Sequence, residues 1–106
     1  MSIQLYAIFK SVNMLFEWNK AKEAINIGKH GIDFETAREA FFDAKRITAI
    51  DEEHNNQKET RYFCFGRVGK KIMTVRFTIR KDRIRILGAG YWRKGREFYE
   101  APNGIQ

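Results

Sequence analysis

Four arginines in the second half of the 106-residue sequence are spaced so that they can meet on one surface. They are Arg76, Arg80, Arg83 and Arg85. Arginine is permanently charged and binds phosphate oxygens through paired N–H groups, but it cannot readily act as a base. Such a group therefore predicts a surface that binds a polyanion and stabilises negative charge on phosphorus.

The register of two predicted strands places these arginines together. Side chains alternate between the two faces of a strand, so Met73, Val75, Phe77 and Ile79 share one face, which we predict to be core. A two-residue hairpin turn at Lys81-Asp82 pairs Arg80 with Arg83, Thr78 with Arg85 and Arg76 with Leu87. We call the surface that carries the four arginines the arginine face. An alternative is that this face is only a solvated sheet surface.

The preceding predicted strand extends the arginine face. A two-residue turn at Gly69-Lys70 adds Arg61 and Arg67 to it, with Phe63 and Phe65 between them. A slip of one residue would reverse this strand. Aromatic rings among arginines favour a single-stranded nucleic acid as the polyanion, because unpaired bases stack on such rings.

The residues that could transfer protons are fewer. RNA is cut without a metal ion when its 2′-hydroxyl attacks the adjacent phosphate, which requires a base, an acid and a stabiliser of charge. Candidates for proton transfer are Glu97, Tyr91, Tyr99, Lys94 and His54. We predict catalytic roles for Arg80, Arg76, Arg85, Glu97 and Tyr91. We predict RNA-binding roles for Arg61, Arg67, Arg83, Arg93, Lys94 and Arg96.

Other kinds of site have little support in the sequence. There is no glycine-rich phosphate loop, no metal-ligand cluster and no nucleophile motif, so no metal or cofactor is expected. The single cysteine, Cys64, lies in an apolar run and is interpreted as a small buried hydrophobe. One thiol fits a reducing cytoplasm, where we expect the protein, and no apolar run is long enough for a membrane span.

The elements that must hold these residues predict an α+β fold with two N-terminal helices, an antiparallel β-meander and a C-terminal helix. The predicted strands are Leu15–Trp18, Arg46–Asp51, Arg61–Val68, Lys71–Arg80 and Arg83–Gly90. The predicted helices are Lys20–Lys29, with Ala21, Ala24, Ile25 and Ile27 or Gly28 inside, then Phe34–Phe42 and Arg93–Glu100. Asn19 and Asp33 are suited to cap the first two helices.

The length of the chain and the distribution of its charge give two further expectations. The chain has the size of one domain, with residues 1–14 interpreted as an N-terminal extension and residues 101–106 as a tail. The net charge is +7, yet residues 1–60 hold 8 Lys or Arg against 10 Asp or Glu. Residues 61–106 hold 12 against 3, so the basic excess belongs to the second half. Such asymmetry indicates a polyanionic partner, either nucleic acid or an acidic protein.

An ordered set of short motifs resembles the BrnT family of toxins. The motifs are Phe16-Glu17-Trp18, Lys29-His30-Gly31, Phe34-Glu35, Phe41-Phe42-Asp43, Asp51 with His54, Glu59-Thr60-Arg61, Arg83-Ile84-Arg85-Ile86 and Tyr99-Glu100. The resemblance spans Phe16–Glu100 and implies a RelE-like fold and a metal-independent endoribonuclease that arrests translation. It also implies a BrnA-like antitoxin of the ribbon-helix-helix class, which binds the toxin in a hetero-oligomer and represses the shared operon.

Two departures from the family pattern keep other functions open. Ile79 stands where many relatives have glutamate, so that carboxylate is not carried over to this chain, whereas Arg80 matches. Leu87-Gly88-Ala89-Gly90 stands where many relatives have Ile-Ser-Ala-Arg. The alternative hypothesis is a non-catalytic basic module that binds nucleic acid or an acidic partner protein. A third is a family member retained only for operon regulation.

Overall fold

Alternation of apolar and polar residues produces the three long strands of the structure, a computed structural model that describes residues 14–54 and 58–101. The strands are β1 (Leu15–Trp18), β2 (Ile47–Ile50), β3 (Arg61–Val68), β4 (Lys71–Arg80) and β5 (Arg83–Gly90). The helices are α1 (Lys20–His30), α2 (Phe34–Arg38), which continues as a 3-10 turn (Glu39–Phe42), and α3 (Arg93–Glu100). The α+β prediction is confirmed. Apart from Met14 and Ala101, the predicted N-terminal extension and C-terminal tail lie outside the described residues.

The five strands form one mixed sheet in the order β1-β5-β4-β3-β2. Strands β2 to β5 are an antiparallel meander, as predicted. Strand β1 lies parallel to β5 at the edge and pairs Glu17 with Arg85. This parallel pairing was not predicted, because a parallel partner is joined through a crossover and leaves no local turn signal.

The register of the β4–β5 hairpin agrees with the prediction only near its turn. Lys81 and Asp82 both have positive φ, 50° and 66°, which fits the predicted two-residue turn. Arg80 pairs with Arg83 and Thr78 with Arg85, as expected. The predicted pairing of Arg76 with Leu87 is wrong, because a β-bulge shifts the register and pairs Arg76 with Gly88.

The core lies between one face of the sheet and the first two helices. The sheet contributes Cys64, Met73, Val75, Phe77, Ile84 and Ile86, and α2 with its 3-10 turn contributes Phe34, Ala37, Ala40 and Phe41. Burial raises the pKa of the Cys64 thiol well above its ordinary value, as expected for a cysteine that acts as a hydrophobe. No helix within the described residues is long and apolar enough to cross a membrane.

Helix α1 presents a different side to the sheet from the one predicted. Its capping is as expected, because the Asn19 side chain accepts from the Lys22 amide and Gly31 ends the helix with φ 69°. The predicted inner residues are all exposed, with Ile25 at 58%. Asn26 is the buried residue instead, and its side chain bonds the amide and carbonyl of Ala89 on β5 at 3.1 Å each. A polar side chain is tolerated in the interior when its polar atoms are hydrogen-bonded. The hydrogen bonds to Ala89 therefore allow Asn26 to be buried although it is polar.

Candidate functional site

The arginine face extends over β3, β4 and β5, and the β3–β4 pairing has the predicted register. Arg61 lies opposite Thr78 and Arg67 opposite Ile72, so both belong to the face that carries Arg76. The turn at Gly69-Lys70 has two residues, because Val68 pairs directly with Lys71. Helix α3 packs on one end of this surface, where Gly95 is buried against Thr74 and Phe65. The other end stays open around the arginines.

Two carboxylates that sequence reasoning missed lie among the arginines. Glu59 accepts from Arg80 Nη2 at 2.9 Å and Arg61 Nε at 3.3 Å, and Glu17 accepts from Arg85 Nη1 at 3.0 Å. The hydrogen bond from Arg80 and that from Arg61 hold the pKa of Glu59 below its ordinary value, although burial opposes this. The closeness of Glu59 to Arg61 in sequence was an available signal, whereas Glu17 depends on the parallel pairing of β1.

Arg76 occupies the centre of the arginine face without a carboxylate. Its side chain is half-buried and makes no ion pair within residues 14–54 and 58–101. The guanidinium lies against Gly88, where an added Cβ would come within 2.8 Å of Nη2. The bulge therefore places Gly88 opposite Arg76. Because glycine has no side chain, the guanidinium rests on the backbone of Gly88. Its remaining N–H donors are available to an anion.

An aromatic cleft of about 400 Å³ lies beside Arg76. We define it by its lining residues, which are Ala49, Ile50, Asp51, Glu52, Glu53, Phe63, Phe65, Thr74, Trp92, Lys94, Gly95 and Phe98. The rings of Phe63, Phe65 and Phe98 stack in a row, with centroids 5.7 and 5.4 Å apart. Because Phe63 pairs with Arg76 across the strands, the cleft adjoins the free guanidinium.

A buried carboxylate at the edge of this cleft holds a histidine. Asp51 is 3% exposed, and its Oδ2 lies 3.0 Å from Nδ1 of His54. The His54 amide also donates to Asp51 Oδ1 at 3.3 Å. The ring is exposed, and its Nε2 faces no partner among the described residues. A carboxylate that fixes Nδ1 orients the imidazole and selects the tautomer, which is the arrangement of a general acid or base.

The other candidates for proton transfer are placed less favourably. Glu97 pairs with Arg93 at 3.6 Å on the side of α3 that faces away from the sheet, so it is not brought to the arginines. The Tyr91 ring contacts Lys71 Nζ at 5.2 Å, also away from Arg76. Lys94 lies at the rim of the aromatic cleft.

Tyr99, the fifth candidate, already has a partner. Its hydroxyl donates to Asp43 Oδ2 at 2.6 Å, and that oxygen also accepts from the Arg67 amide at 2.7 Å. Burial and the Asp43 carboxylate together raise the pKa of Tyr99. For Asp43 burial raises the pKa, but the hydrogen bonds from Tyr99 and the backbone outweigh it and the pKa is lowered. Through Asp43 this network links α3 to β3, so we assign Tyr99 a structural role.

A second depression of about 400 Å³ collects positive charge. This basic cleft is lined by Arg67, Lys70, Lys71, Ile72, Tyr91, Trp92, Arg93, Arg96 and Glu100. Three of the predicted RNA-binding residues meet here, namely Arg67, Arg93 and Arg96, whereas Arg61 and Arg83 remain on the arginine face and Lys94 on the aromatic cleft. Lys70 and Lys71 were not predicted, because Lys70 lies in the hairpin turn and Lys71 directly after it, where the sequence gives no sign of a binding site. In the part of the chain that the structure describes, no group of three or more His, Cys, Asp or Glu side chains is arranged to hold a metal ion.

Most of the chain matches one family of known proteins. The model of one family, described as the ribonuclease toxin BrnT of a type II toxin–antitoxin system, matches residues 18–95. The matched segment runs from the last residue of β1 into the first turn of α3, so it includes most of both clefts and all of β3 to β5. No curated protein matches the chain.

Proposed function

This chain belongs to the BrnT family of ribonuclease toxins of type II toxin–antitoxin systems, and we propose that it is an endoribonuclease that cleaves RNA without a metal ion and thereby arrests translation. The observation that carries the proposal is the guanidinium of Arg76, which makes no ion pair within the described residues and adjoins, through Phe63, an aromatic cleft with Asp51 and its partner His54 at the edge. A half-buried cation is desolvated and fixed before the substrate arrives. Such a group stabilises charge more strongly than a cation in free solution.

The proposed reaction is transfer of the phosphate to the neighbouring hydroxyl. The 2′-oxygen attacks phosphorus, its proton passes to a base, and the bond from phosphorus to the 5′-oxygen breaks as that oxygen takes up a proton. The products are a 2′,3′-cyclic phosphate and a 5′-hydroxyl. Arg76 binds the non-bridging oxygens, on which negative charge accumulates during the attack.

His54 is the side chain best suited to move the protons. Asp51 holds Nδ1, so Nε2 is left to accept a proton from the 2′-hydroxyl or to return one to the leaving oxygen. This proposal differs from the expectation that Glu97 and Tyr91 serve the reaction, since Glu97 pairs with Arg93 on the far side of α3. Arg80 and Arg85, which are held by Glu59 and Glu17, contribute to the field around the phosphate.

The two clefts supply a path for the rest of the RNA. The cations of the basic cleft suit the backbone of a single strand, and the rings of the aromatic cleft suit an unpaired base. Both clefts contact Trp92, so one strand can pass from one to the other. Binding through phosphates predicts an affinity that falls steeply as the salt concentration rises.

The decisive experiment incubates purified protein with end-labelled RNA in the presence of EDTA. We expect cleavage to continue under these conditions and to leave cyclic phosphate ends. Arg76→Ala should lose cleavage and keep its fold, whereas the control Arg38→Ala, which removes an exposed arginine from α2 on the opposite side of the sheet, should cleave normally. Loss of all cleavage in EDTA with recovery on adding a divalent cation would contradict the metal-independent reaction.

A second function is favoured by one observation. Carboxylates engage Arg61, Arg80 and Arg85, so much of the arginine face is already neutralised. A basic module that only binds nucleic acid or an acidic protein does not need unpaired arginines at a reaction centre. The partly neutralised arginine face is therefore sufficient for such a module. Tight RNA binding with no cleavage at any pH would establish the binding module and exclude the ribonuclease.

A toxin of a type II system acts with an antitoxin. We propose that the antitoxin is a BrnA-like protein of the ribbon-helix-helix class and that the two form a hetero-oligomer. Induction of this chain alone should stop growth and protein synthesis, and co-induction of the neighbouring ribbon-helix-helix gene should restore both. Co-purification of the two chains as one species on gel filtration tests the complex directly.

A further inference from the structure

The aromatic cleft differs in charge from the basic surfaces around it. Glu52 and Glu53 lie on its rim, are exposed, and make no ion pair within residues 14–54 and 58–101. Their carboxylates repel phosphate, so they weaken the binding of an RNA backbone to a surface that otherwise attracts it. They become favourable when the ligand presents N–H donors to them. The Watson–Crick edge of a nucleobase does so.

The interior of the cleft suits a flat aromatic ligand. Phe63 is half-buried and stands at one end of the ring row that continues through Phe65 to Phe98. A base that enters beside Phe63 continues this row by stacking. The volume of about 400 Å³ falls in the range of about 300–1,000 Å³ that is usual for sites that bind small molecules.

The floor of the cleft contains a polar atom that lacks a partner. Thr74 is 4% exposed, and its hydroxyl makes no hydrogen bond with any described residue. The hydroxyl lies against Gly95 of α3, so it belongs to the packing of that helix on the sheet, and a ligand is held by the rings and carboxylates of the cleft.

We propose that the aromatic cleft is a base-binding subsite and that it prefers guanine; this rests on the proposed function, in which RNA is the substrate. Guanine alone presents two adjacent donors, N1–H and the N2 amino group, which fit one carboxylate as a pair. Adenine and cytosine present a single amino group beside an acceptor, and uracil presents one N–H between two carbonyl oxygens. Since Phe63 adjoins Arg76, the phosphate next to the bound guanosine is the one that Arg76 binds.

The four ribonucleoside 5′-monophosphates test the subsite separately from cleavage. They share ribose and phosphate, so differences in affinity measured by isothermal titration report the base. We expect GMP to bind about tenfold more tightly than UMP, which is the low end of what a paired hydrogen bond to a base contributes. The Glu52→Gln/Glu53→Gln double variant should lose most of this preference, because each change removes a carboxylate and keeps the side-chain shape.

A matched control removes a carboxylate from the other side of the sheet. Glu39→Gln alters an exposed residue of the 3-10 turn that lines neither cleft, and it should keep the full preference for GMP. Equal affinities for the four nucleotides, or a preference that survives in the double variant, would overturn the proposal.

The proposed guanine subsite and the proposed ribonuclease activity can be disproved independently of each other. Cleavage of a mixed RNA pool at all bases alike, together with equal nucleotide affinities, overturns the guanine subsite and leaves the ribonuclease. Preferential binding of GMP without cleavage of any RNA overturns the ribonuclease and leaves the subsite. Cleavage next to guanosine that is lost in the double variant and kept in Glu39→Gln supports both.

Discussion

The guanidinium of Arg76 rests on the backbone of Gly88, its partner across strands β4 and β5. A side chain at position 88 would displace the guanidinium from the centre of the arginine face. The atom in the way is the end of a flexible side chain, which can move without disturbing the sheet. A side chain at position 88 is therefore expected to move the charge of Arg76 without preventing the chain from folding.

Gly88→Ala should accordingly lower RNA cleavage while it leaves the fold intact. We expect a loss of about 10- to 100-fold in kcat, because small displacements of catalytic groups have effects of that size. Cleavage assays combined with thermal unfolding measure both parts. Gly28→Ala is the control, since nothing lies within 4 Å of its added Cβ. Equal activity of the two variants would show that the position of Arg76 has no importance.

Changes at His54 should act on proton transfer and spare binding. His54→Ala is expected to reduce kcat by about 100-fold or more, the usual contribution of a general acid or base, with little change in RNA affinity because the ring is exposed. Asp51→Asn should also reduce kcat, since the amide fills the buried position but no longer selects the tautomer of the ring. Single-turnover cleavage and filter binding measure the two effects. Wild-type rates in His54→Ala would transfer the role to another residue.

The ion pairs of Glu59 predict how stability depends on pH. Its pKa is lowered in the folded state, so its contribution is present above the unfolded pKa and is lost as pH falls through the folded one. Urea unfolding at pH 7 and at about pH 3, below the ordinary carboxylate range, should therefore show a smaller loss in Glu59→Gln than in wild type. The variant should also bind RNA more tightly, because it removes a negative charge beside Arg80. An unchanged pH dependence would mean that these pairs contribute nothing.

Two threonines on the same face of β4 provide a matched pair for stability. Thr78 donates to the Thr60 carbonyl at 2.7 Å, whereas the Thr74 hydroxyl has no partner in the described part of the chain. Thr78→Val should destabilise the fold by about 1 kcal/mol, and Thr74→Val should stabilise it by about 1 kcal/mol. Chemical unfolding measures both. Destabilisation by Thr74→Val would reveal a hydrogen bond of this hydroxyl.

Local patterns predicted the elements well, because alternation and capping are properties of neighbouring residues. Strands β3, β4 and β5 and helix α3 have the predicted bounds. The inner side of α1 was wrong, since the pairing of Asn26 with Ala89 joins residues 63 positions apart. A bulge likewise gives no sequence signal apart from the glycine it aligns with Arg76.

The sequence predicted the charged surface of the site but not the pairings between its side chains. The arginines follow from strand alternation, whereas Glu17 reaches Arg85 only through the parallel pairing of β1. The link between Asp51 and His54 was visible as a three-residue spacing at the end of a strand, but their pairing depends on how the loop turns.

The short edge strands have a consequence for behaviour at high concentration. Edge strands β1 and β2 have four residues each, while the strands between them have eight to ten. Beyond the end of β1, the Asn26 side chain occupies the backbone groups of Ala89. Exposed strand edges are the usual templates for intermolecular pairing. Within the described residues the sheet therefore gives a second molecule few positions at which to add a strand, and we expect this to disfavour aggregation through the sheet edges.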